Sequence, residues 1–199
     1  EFGKSKNKSS FSSDKEADKK LLHQLAYQGL IYRYGSNPNG VIIKRFESEL
    51  QTIFELGFTA YFLINWDIVR FAHGQGFFYI GRGSGANSIV AYLLGITDVD
   101  PIELDLYFER FINPYRSNPP DFDIDFSWTD RDDITDYIFK TFNKRDNVAL
   151  MGSYNTFQHD AVIRQLGKVF GLPPAEIDKL QKLSFSETDD IGRIILQYS

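Results

Sequence analysis

Three aspartates alternate with apolar residues in one short segment of the sequence. Asp121, Asp123 and Asp125 are each followed by a Phe or an Ile. Strict alternation predicts a half-buried β-strand with one polar and one apolar face. A rise of about 3.3 Å per residue then places neighbouring carboxylates about 6.6 Å apart on the polar face. Because like charges at this spacing repel one another, the pattern favours a face that binds a cation.

The spacing of the acids limits how a metal site is built. Two Mg²⁺ ions about 3.5–4 Å apart are the usual arrangement in phosphoryl transfer. Two neighbouring aspartates are able to share such a pair, whereas Asp121 and Asp125, about 13 Å apart, are too distant to do so together. One of the three is therefore expected to be a bystander. The alternative is a solvated polar face on an edge strand, and the alternation does not specify a reaction.

A glycine-rich segment, Gly81-Arg82-Gly83-Ser84-Gly85-Ala86, precedes an apolar stretch with helical character. Glycines let backbone N–H groups approach an anion, and a following helix would present its positive end to that anion. The segment lacks the Gly-Lys-Ser/Thr ending of the P-loop and the G-x-G-x-x-G spacing of dinucleotide-binding turns. It predicts a phosphate-binding turn, with plain turn geometry as the alternative.

The composition narrows the possible chemistry. The 199 residues include no cysteine and three scattered histidines, so thiolate and zinc sites are excluded and a metal would need oxygen ligands. The net charge of −5 argues against a freestanding basic nucleic-acid module. Lys and Arg are concentrated in the first twenty residues and acids between Asp98 and Asp136. No apolar run is long enough to span a membrane, and we expect a cytoplasmic protein.

Apolar periodicity and turn residues predict the elements around these two segments. Helices are expected over residues 14–34, 41–56, 65–72, 86–94, 103–111, 131–142, 156–170 and 174–183. Strands are expected over 61–64, 77–80, 121–126 and 148–151, which gives the last part of the chain a βαβα order. The aromatic residues of the central region are expected to be core rather than base-stacking surfaces: Tyr61, Phe62, Trp66, Phe71, Phe77 and Phe78.

Several longer motifs make the chain resemble the bacterial replicative polymerases of family C, the alpha subunit family of DNA polymerase III. The resemblance extends over residues 21–183. Its motifs are Gly57-Phe58, Tyr61-Phe62-Leu63-Ile64, Gly81 to Ala86, Ala91-Tyr92, Gly95-Ile96-Thr97-Asp98-Val99-Asp100-Pro101, Phe108-Glu109-Arg110-Phe111-Ile112-Asn113-Pro114 and Pro120 to Phe126.

The resemblance implies an α+β fold, the palm of the polymerase beta-like nucleotidyltransferases, as a partial mixed sheet flanked and preceded by helices. It implies a helical segment over residues 15–57 that leads into the palm, and the N-terminal portion of the palm over 58–184. The composition of residues 1–14 predicts a disordered lead-in or linker, and residues 185–199 are expected to be a truncated or poorly ordered end. Within the palm, Asp123 and Asp125 are expected to hold two Mg²⁺ ions, with Asp121 as the bystander.

The resemblance also implies the substrates and partners. The triphosphate of the incoming deoxynucleotide is expected to contact Arg82, Gly83, Ser84, Gly85, Arg110 and Arg116. The family acts on primer-template DNA and assembles with a sliding clamp and a proofreading subunit.

The family's third catalytic aspartate lies on a later palm strand, beyond Ser199, and the fingers are likewise outside this sequence. The isolated chain is therefore expected to be inactive. Two other functions stay open at this point: a two-metal nuclease or phosphohydrolase, and a non-enzymatic nucleic-acid-binding module.

Overall fold

The computed structural model describes residues 10–12, 14–113, 120–143, 148–152, 156 and 158–182. The chain divides into two compact units, residues 1–149 and 150–199. The first unit contains the acidic segment and the glycine-rich turn, and the second contains a pair of helices. Together, helices and a small sheet place the described part of the chain in the α+β class.

The first two helices follow the sequence-based expectation closely. Helix α1 spans Lys15–Tyr34 and α2 spans Gly40–Glu55. Asp14 caps α1 by accepting a hydrogen bond from the Glu16 N–H, and Asn39 caps α2 in the same way. These caps satisfy N–H groups that have no partner within the helix, which fixes where each helix begins.

Helix α3, Thr59–Gln75, corrects the strand predicted over residues 61–64. Phe62 and Leu63 are fully buried, and the buried positions continue through Ile68, Val69 and Ala72 at helical spacing. A four-residue apolar run does not distinguish a strand from a buried helical turn, and packing on neighbouring elements decided the outcome. Gly76, in the left-handed conformation, ends the helix.

Two short strands form an antiparallel pair in the described part of the chain. Strand β1 is Tyr79–Arg82 and β2 is Asp123–Phe126. The predicted strand over 77–80 is thus displaced by two residues, and the predicted strand over 148–151 is wrong because those residues form no ladder. The mixed sheet and βαβα order expected from the sequence are not seen in the described residues, where the sheet has two strands.

The segment between the strands contains short helical elements. A 3-10 helix, Gly83–Asn87, follows β1 directly, and helix α4 spans Ile89–Leu93. The helix predicted over 103–111 is wrong: turns occupy its first part, and a single 3-10 turn, Phe108–Arg110, its last.

Helix α5, Arg131–Phe142, has the predicted bounds. It is joined to α3 through the buried Asp67, which accepts hydrogen bonds from the Tyr137 hydroxyl at 2.7 Å and from Arg70 at 2.6 Å. The rings of Phe71 and Tyr137 stack at 3.8 Å. Arg70 compensates the charge of the buried carboxylate and the neutral Tyr137 hydroxyl adds a hydrogen bond, so Asp67 is stable where an unpaired carboxylate would not be.

One continuous core holds the first four helices together behind the sheet. Its buried members come from α1 to α4 and from the residues that follow the 3-10 turn Phe108–Arg110, and include Leu22, Leu30, Phe46, Ile53, Phe62, Ile89 and Phe111. Of the aromatic residues expected in the core, Phe78 is an exception because it is mostly exposed.

The second unit is a helical hairpin in its described part. Helix α6 is His159–Val169 and α7 is Pro174–Gln181, and they meet where Gly167 lies against Ile177. Helix α6 begins three residues later than predicted. The predicted end of α7 at Leu183 lies outside the described residues. None of the helices in the described ranges is both long and apolar enough to cross a bilayer.

Candidate functional site

The pairing of β1 with β2 brings the glycine-rich turn and the acidic segment together. In the antiparallel register Arg82 lies opposite Asp123, and Ile80 lies opposite Asp125. The turn begins at Gly83, so it starts where the acidic strand starts. Two segments about forty residues apart in sequence therefore form one surface, because directly opposed residues in such a pair have Cβ atoms only about 4.5–5.5 Å apart.

The acidic strand has the polar and apolar faces that its alternation predicts. Asp121, Asp123 and Asp125 are exposed, whereas Phe122 and Ile124 are half-buried against the core. Asp121 lies before the first residue of β2. The acids therefore point away from the core, and the apolar side chains fix the strand from behind.

Arg82 connects the two aspartates of the strand. Its Nε donates to Asp125 Oδ2 at 2.5 Å and its Nη2 to Asp125 Oδ1 at 3.3 Å. Its Nη1 lies 3.9 Å from Asp123 Oδ2. The hydrogen bond and charge of Asp125, followed by the charge of Asp123, raise the pKa of Arg82. One guanidinium thus occupies the space between two carboxylates, at a surface that is open to solvent.

The turn lies so close to the acidic strand that two of its positions require glycine. Gly83 has a φ of +73°, and a Cβ there would lie 2.5 Å from Asp123 Oδ2. At Gly85 a Cβ would lie 2.5 Å from the ring of Phe122. Both distances are far below van der Waals contact. The glycines therefore allow the turn to pack directly on the acidic strand, in addition to any freedom they give to backbone N–H groups.

The turn does not lead directly into an α-helix, which corrects the expectation of a helix starting at Ala86. Asn87 Nδ2 donates to the Ser84 carbonyl at 2.8 Å, and the Ser88 N–H donates to the Gly85 carbonyl at 3.2 Å. These bonds close a 3-10 helix, and α4 begins only at Ile89 with Ser88 as its cap. Gly83 and Ser84 are consequently the first residues of a short 3-10 helix and not the N-terminus of an α-helix.

An aromatic cluster beneath the strand fixes the position of the acids. The Tyr61 hydroxyl accepts a hydrogen bond from the Phe122 N–H at 2.5 Å, and the two rings stack at 5.3 Å. Phe62 and Phe111 contact the same ring, with centroids at 5.2 and 4.8 Å. Burial, and then the charges of Asp121 and Asp123, raise the pKa of Tyr61 to about 12. The hydroxyl therefore stays neutral at physiological pH.

The resemblance predicts that Arg110 and Arg116 contact phosphate, and the structure describes only the first of them. Arg110 is an exposed residue of the 3-10 turn Phe108–Arg110, and this turn packs against the 3-10 helix Gly83–Asn87. Arg116 lies outside the described residues. Within the described ranges, no group of three or more His, Asp or Glu side chains is arranged to hold a metal ion. Asp123 and Asp125 thus offer the oxygen ligands that Mg²⁺ prefers, but as a pair rather than a complete set.

Residues that the sequence reasoning did not assign also contribute to this region. Tyr61 was expected only as core, yet it bonds the backbone of the acidic strand. Arg45 and Glu49 of α2 reach the far end of the turn. Their i, i+4 spacing is visible in the sequence, but such pairs are common on exposed helix faces.

The sequence of this chain is similar to those of known proteins over most of its length. The family described as "Bacterial DNA polymerase III alpha NTPase domain" matches residues 20–196. The chain belongs to this family. Among curated relatives, an error-prone DNA polymerase of Symbiobacterium thermophilum is 46% identical over 161 residues, 81% of this chain and 15% of the relative. The DNA polymerase III subunit alpha of Bacillus subtilis is 43% identical over 163 residues, 81% of this chain and 14% of the relative.

A third relative matches a longer part of this chain. The error-prone DNA polymerase of Anaeromyxobacter sp. strain K is 38% identical over 174 residues, 87% of this chain and 15% of the relative. The chain thus spans about one seventh of the length of these relatives. The family membership expected from the motifs is confirmed.

Proposed function

We propose that this chain is part of a DNA-directed DNA polymerase, and that its two strands belong to a palm of the polymerase beta-like type. The observation that carries the proposal is the contact between the glycine turn and the acidic strand, with Gly83 directly against the Asp123 carboxylate. In this reading Asp123 and Asp125 hold two Mg²⁺ ions. Family membership supports the reaction class, since the relatives are DNA polymerases by name.

The reaction is a phosphoryl transfer. The primer 3′-hydroxyl loses its proton to solvent and its oxygen attacks the α-phosphorus of a deoxynucleoside triphosphate. A new P–O bond forms, and the bond to the bridging oxygen breaks to release pyrophosphate. Bound Mg²⁺ would lower the pKa of the 3′-hydroxyl and neutralise charge on the phosphates. The chain's own contribution is positioning, because the aromatic cluster holds the strand and the turn holds the triphosphate beside it.

Arg82 is proposed to exchange partners during nucleotide binding. Its guanidinium already forms charge-assisted bonds with Asp125, and a phosphate accepts the same bidentate geometry. Movement of Arg82 from the carboxylates to the triphosphate would free both aspartates for Mg²⁺. Gly83, Ser84 and Gly85 would supply backbone and hydroxyl donors to the same phosphates.

The remaining contacts are proposed by family resemblance. Arg110 and Arg116 would contact phosphate. Primer-template DNA, a sliding clamp and a proofreading subunit would engage the complete polymerase. Because the family's third catalytic aspartate is expected on a later palm strand, we propose that residues 1–199 alone do not extend a primer.

The test is primer extension by the intact polymerase carrying Asp123→Asn or Asp125→Asn, with Asp121→Asn as the matched control. Loss of either ligand is expected to lower kcat on the order of a hundredfold or more, whereas the bystander variant stays close to wild type. Equal activity of all three variants would contradict the assignment. Magnesium-dependent cleavage of DNA without added triphosphate would instead support a nuclease.

A further inference from the structure

We propose that Arg45 and Glu49, on helix α2, are positioning residues for the nucleotide-binding turn. They form an ion pair, with Glu49 buried and Arg45 partly buried, that ties the end of the turn to the helical core. The inference rests on the proposed function, because it assigns these residues a role in nucleotide binding at that same site.

Glu49 is the inner member of the pair and its side chain is 1% exposed. Its Oε2 accepts a hydrogen bond from Ser88 Oγ at 2.8 Å and a longer one from the Val90 N–H at 3.4 Å. Because the Ser88 hydroxyl donates to Glu49, its oxygen is oriented to cap α4 by accepting from the Ala91 N–H at 3.2 Å. Glu49 therefore fixes both the cap and the start of α4.

Arg45 extends the connection to two other segments. Its Nε donates to Glu49 Oε1 at 2.5 Å, and its Nη2 donates to the carbonyls of Asn87, at 3.0 Å, and Leu106, at 2.9 Å. Asn87 is the last residue of the 3-10 helix that begins at Gly83, and Leu106 precedes the turn that carries Arg110. One guanidinium thus sets the separation of two segments proposed to contact phosphate.

A short path of hydrogen bonds leads from this pair to Ser84. Arg45 holds the Asn87 backbone, and Asn87 Nδ2 donates to the Ser84 carbonyl at 2.8 Å. From the other direction, Glu49 holds Ser88, whose N–H donates to the Gly85 carbonyl at 3.2 Å. Displacement of the ion pair would therefore move the proposed phosphate donors themselves.

Stability alone is a weak reason to bury this pair. Apolar side chains of similar volume commonly replace buried ion pairs at little cost or with a gain in stability, because desolvating two charges is expensive. What apolar residues cannot supply is a set of directional bonds to Asn87, Ser88 and Leu106. Such bonds hold a loop of glycine and serine in one conformation, which lowers the cost of ordering it when a ligand binds.

The burial of Glu49 gives the proposal a pH signature. Burial raises its pKa to about 7, against the opposing effect of the Arg45 charge and of the hydrogen bonds from Arg45 and Ser88. Arg45 is the charged group in contact with Glu49 among the described residues, and the segment 88–90 presents a hydroxyl and backbone N–H groups. Protonation below this pH weakens the bonds that hold the turn.

The test compares Glu49→Gln with wild type in the intact polymerase, measuring KM for the deoxynucleotide and kcat between pH 6 and 8.5. At pH 8 the variant is expected to raise KM about fivefold to tenfold, the effect of one charge-assisted hydrogen bond, with a smaller change in kcat. Wild-type KM is expected to rise as the pH falls below 7, and the variant is expected to lack that component. The triphosphate titrates in the same range, so the difference between the two proteins is the readout.

Glu55→Gln is the matched control. Glu55 is exposed on the same helix and accepts a hydrogen bond only from Gln51 in the described contacts, at 2.6 Å. The same chemical change at this position is expected to leave KM and its pH dependence unaltered. Should Glu49→Gln fail to fold, Ser88→Ala removes the bond to Glu49 without removing the ion pair, and is also expected to raise KM.

The outcomes separate this inference from the proposed function. If wild type extends primers while Glu49→Gln, or Ser88→Ala in its place, has wild-type KM at every pH, the positioning role is overturned and the polymerase assignment stands. If wild type fails to extend primers, the proposed function itself fails.

Discussion

Replacement of Gly83 by alanine tests whether the contact between the glycine turn and the acidic strand controls activity. A Cβ at this position would lie 2.5 Å from Asp123 Oδ2, and the residue has a φ of +73°. The left-handed backbone costs an alanine about 1–2 kcal/mol. The carboxylate must also move by roughly 1 Å to reach van der Waals distance. A displacement of this size at a reacting centre lowers the rate on the order of a hundredfold.

Gly57→Ala separates the two effects, because Gly57 has the same φ of +73° and no atom within 4 Å of the added Cβ. Each variant is expected to lower Tm by about 2–8 °C, the equivalent of about 1–2 kcal/mol for a chain of this size. In primer extension by the intact polymerase, only Gly83→Ala is expected to show the large fall in kcat. If both variants extend primers at the same rate, Asp123 has no role that depends on its position beside the turn.

Three further substitutions test the packing that supports the site. Gly29→Ala places a Cβ 2.0 Å from the Leu93 carbonyl oxygen, so we expect a loss of more than about 2 kcal/mol of unfolding free energy in urea denaturation. Tyr61→Phe keeps the ring stack but removes the acceptor for the Phe122 N–H, and is expected to cost about 1–2 kcal/mol by the same measurement. Glu49→Gln tests the raised pKa of Glu49, which goes from a usual 4.5 to about 7 in the folded protein. Because the folded state binds this proton more tightly than the unfolded state does, proton binding stabilises wild type at low pH. Wild type loses that stabilisation as the pH rises through 7. Relative to wild type, the variant should gain on the order of 2–3 kcal/mol of unfolding free energy between pH 5 and pH 8, and an unchanged difference would show that Glu49 titrates normally.

Local signals in the sequence predicted the helices that have caps and regular apolar spacing. The ends of α1 and α5 lie within one residue of the expected positions. The Asp14 cap and the apolar periodicity of residues 131–142 are local signals, because each depends on residues within one or two helical turns. The alternation of 121–126 likewise predicted which side chains are exposed, since a strand fixes the two faces by itself. Here the local preference and the tertiary structure agree.

The errors occur where distant contacts decide the structure. Residues 61–64 form part of α3 because Tyr61 and Phe62 pack against Phe122, about sixty residues later. The glycine turn continues as a 3-10 helix rather than an α-helix because Asn87 and Ser88 bond back onto it. The burial of Glu49 depends on α4 covering it. In each case the residue spacing within the segment does not reveal the contact that decides its structure.

Folding stability gives little reason for the acidic face of β2. Arg82, Asp123 and Asp125 have side chains that are 59%, 47% and 57% exposed, and exposed ion pairs contribute only about 0–1 kcal/mol. The strand is already held from its other face by the aromatic cluster around Phe122. By contrast, the buried Asp67 connects α3 to α5 through its hydrogen bond from the Tyr137 hydroxyl. Adjacent like charges on an anchored strand are consistent with the proposed metal-binding role, because a fixed aromatic support gives two carboxylates a defined spacing that a mobile loop would not.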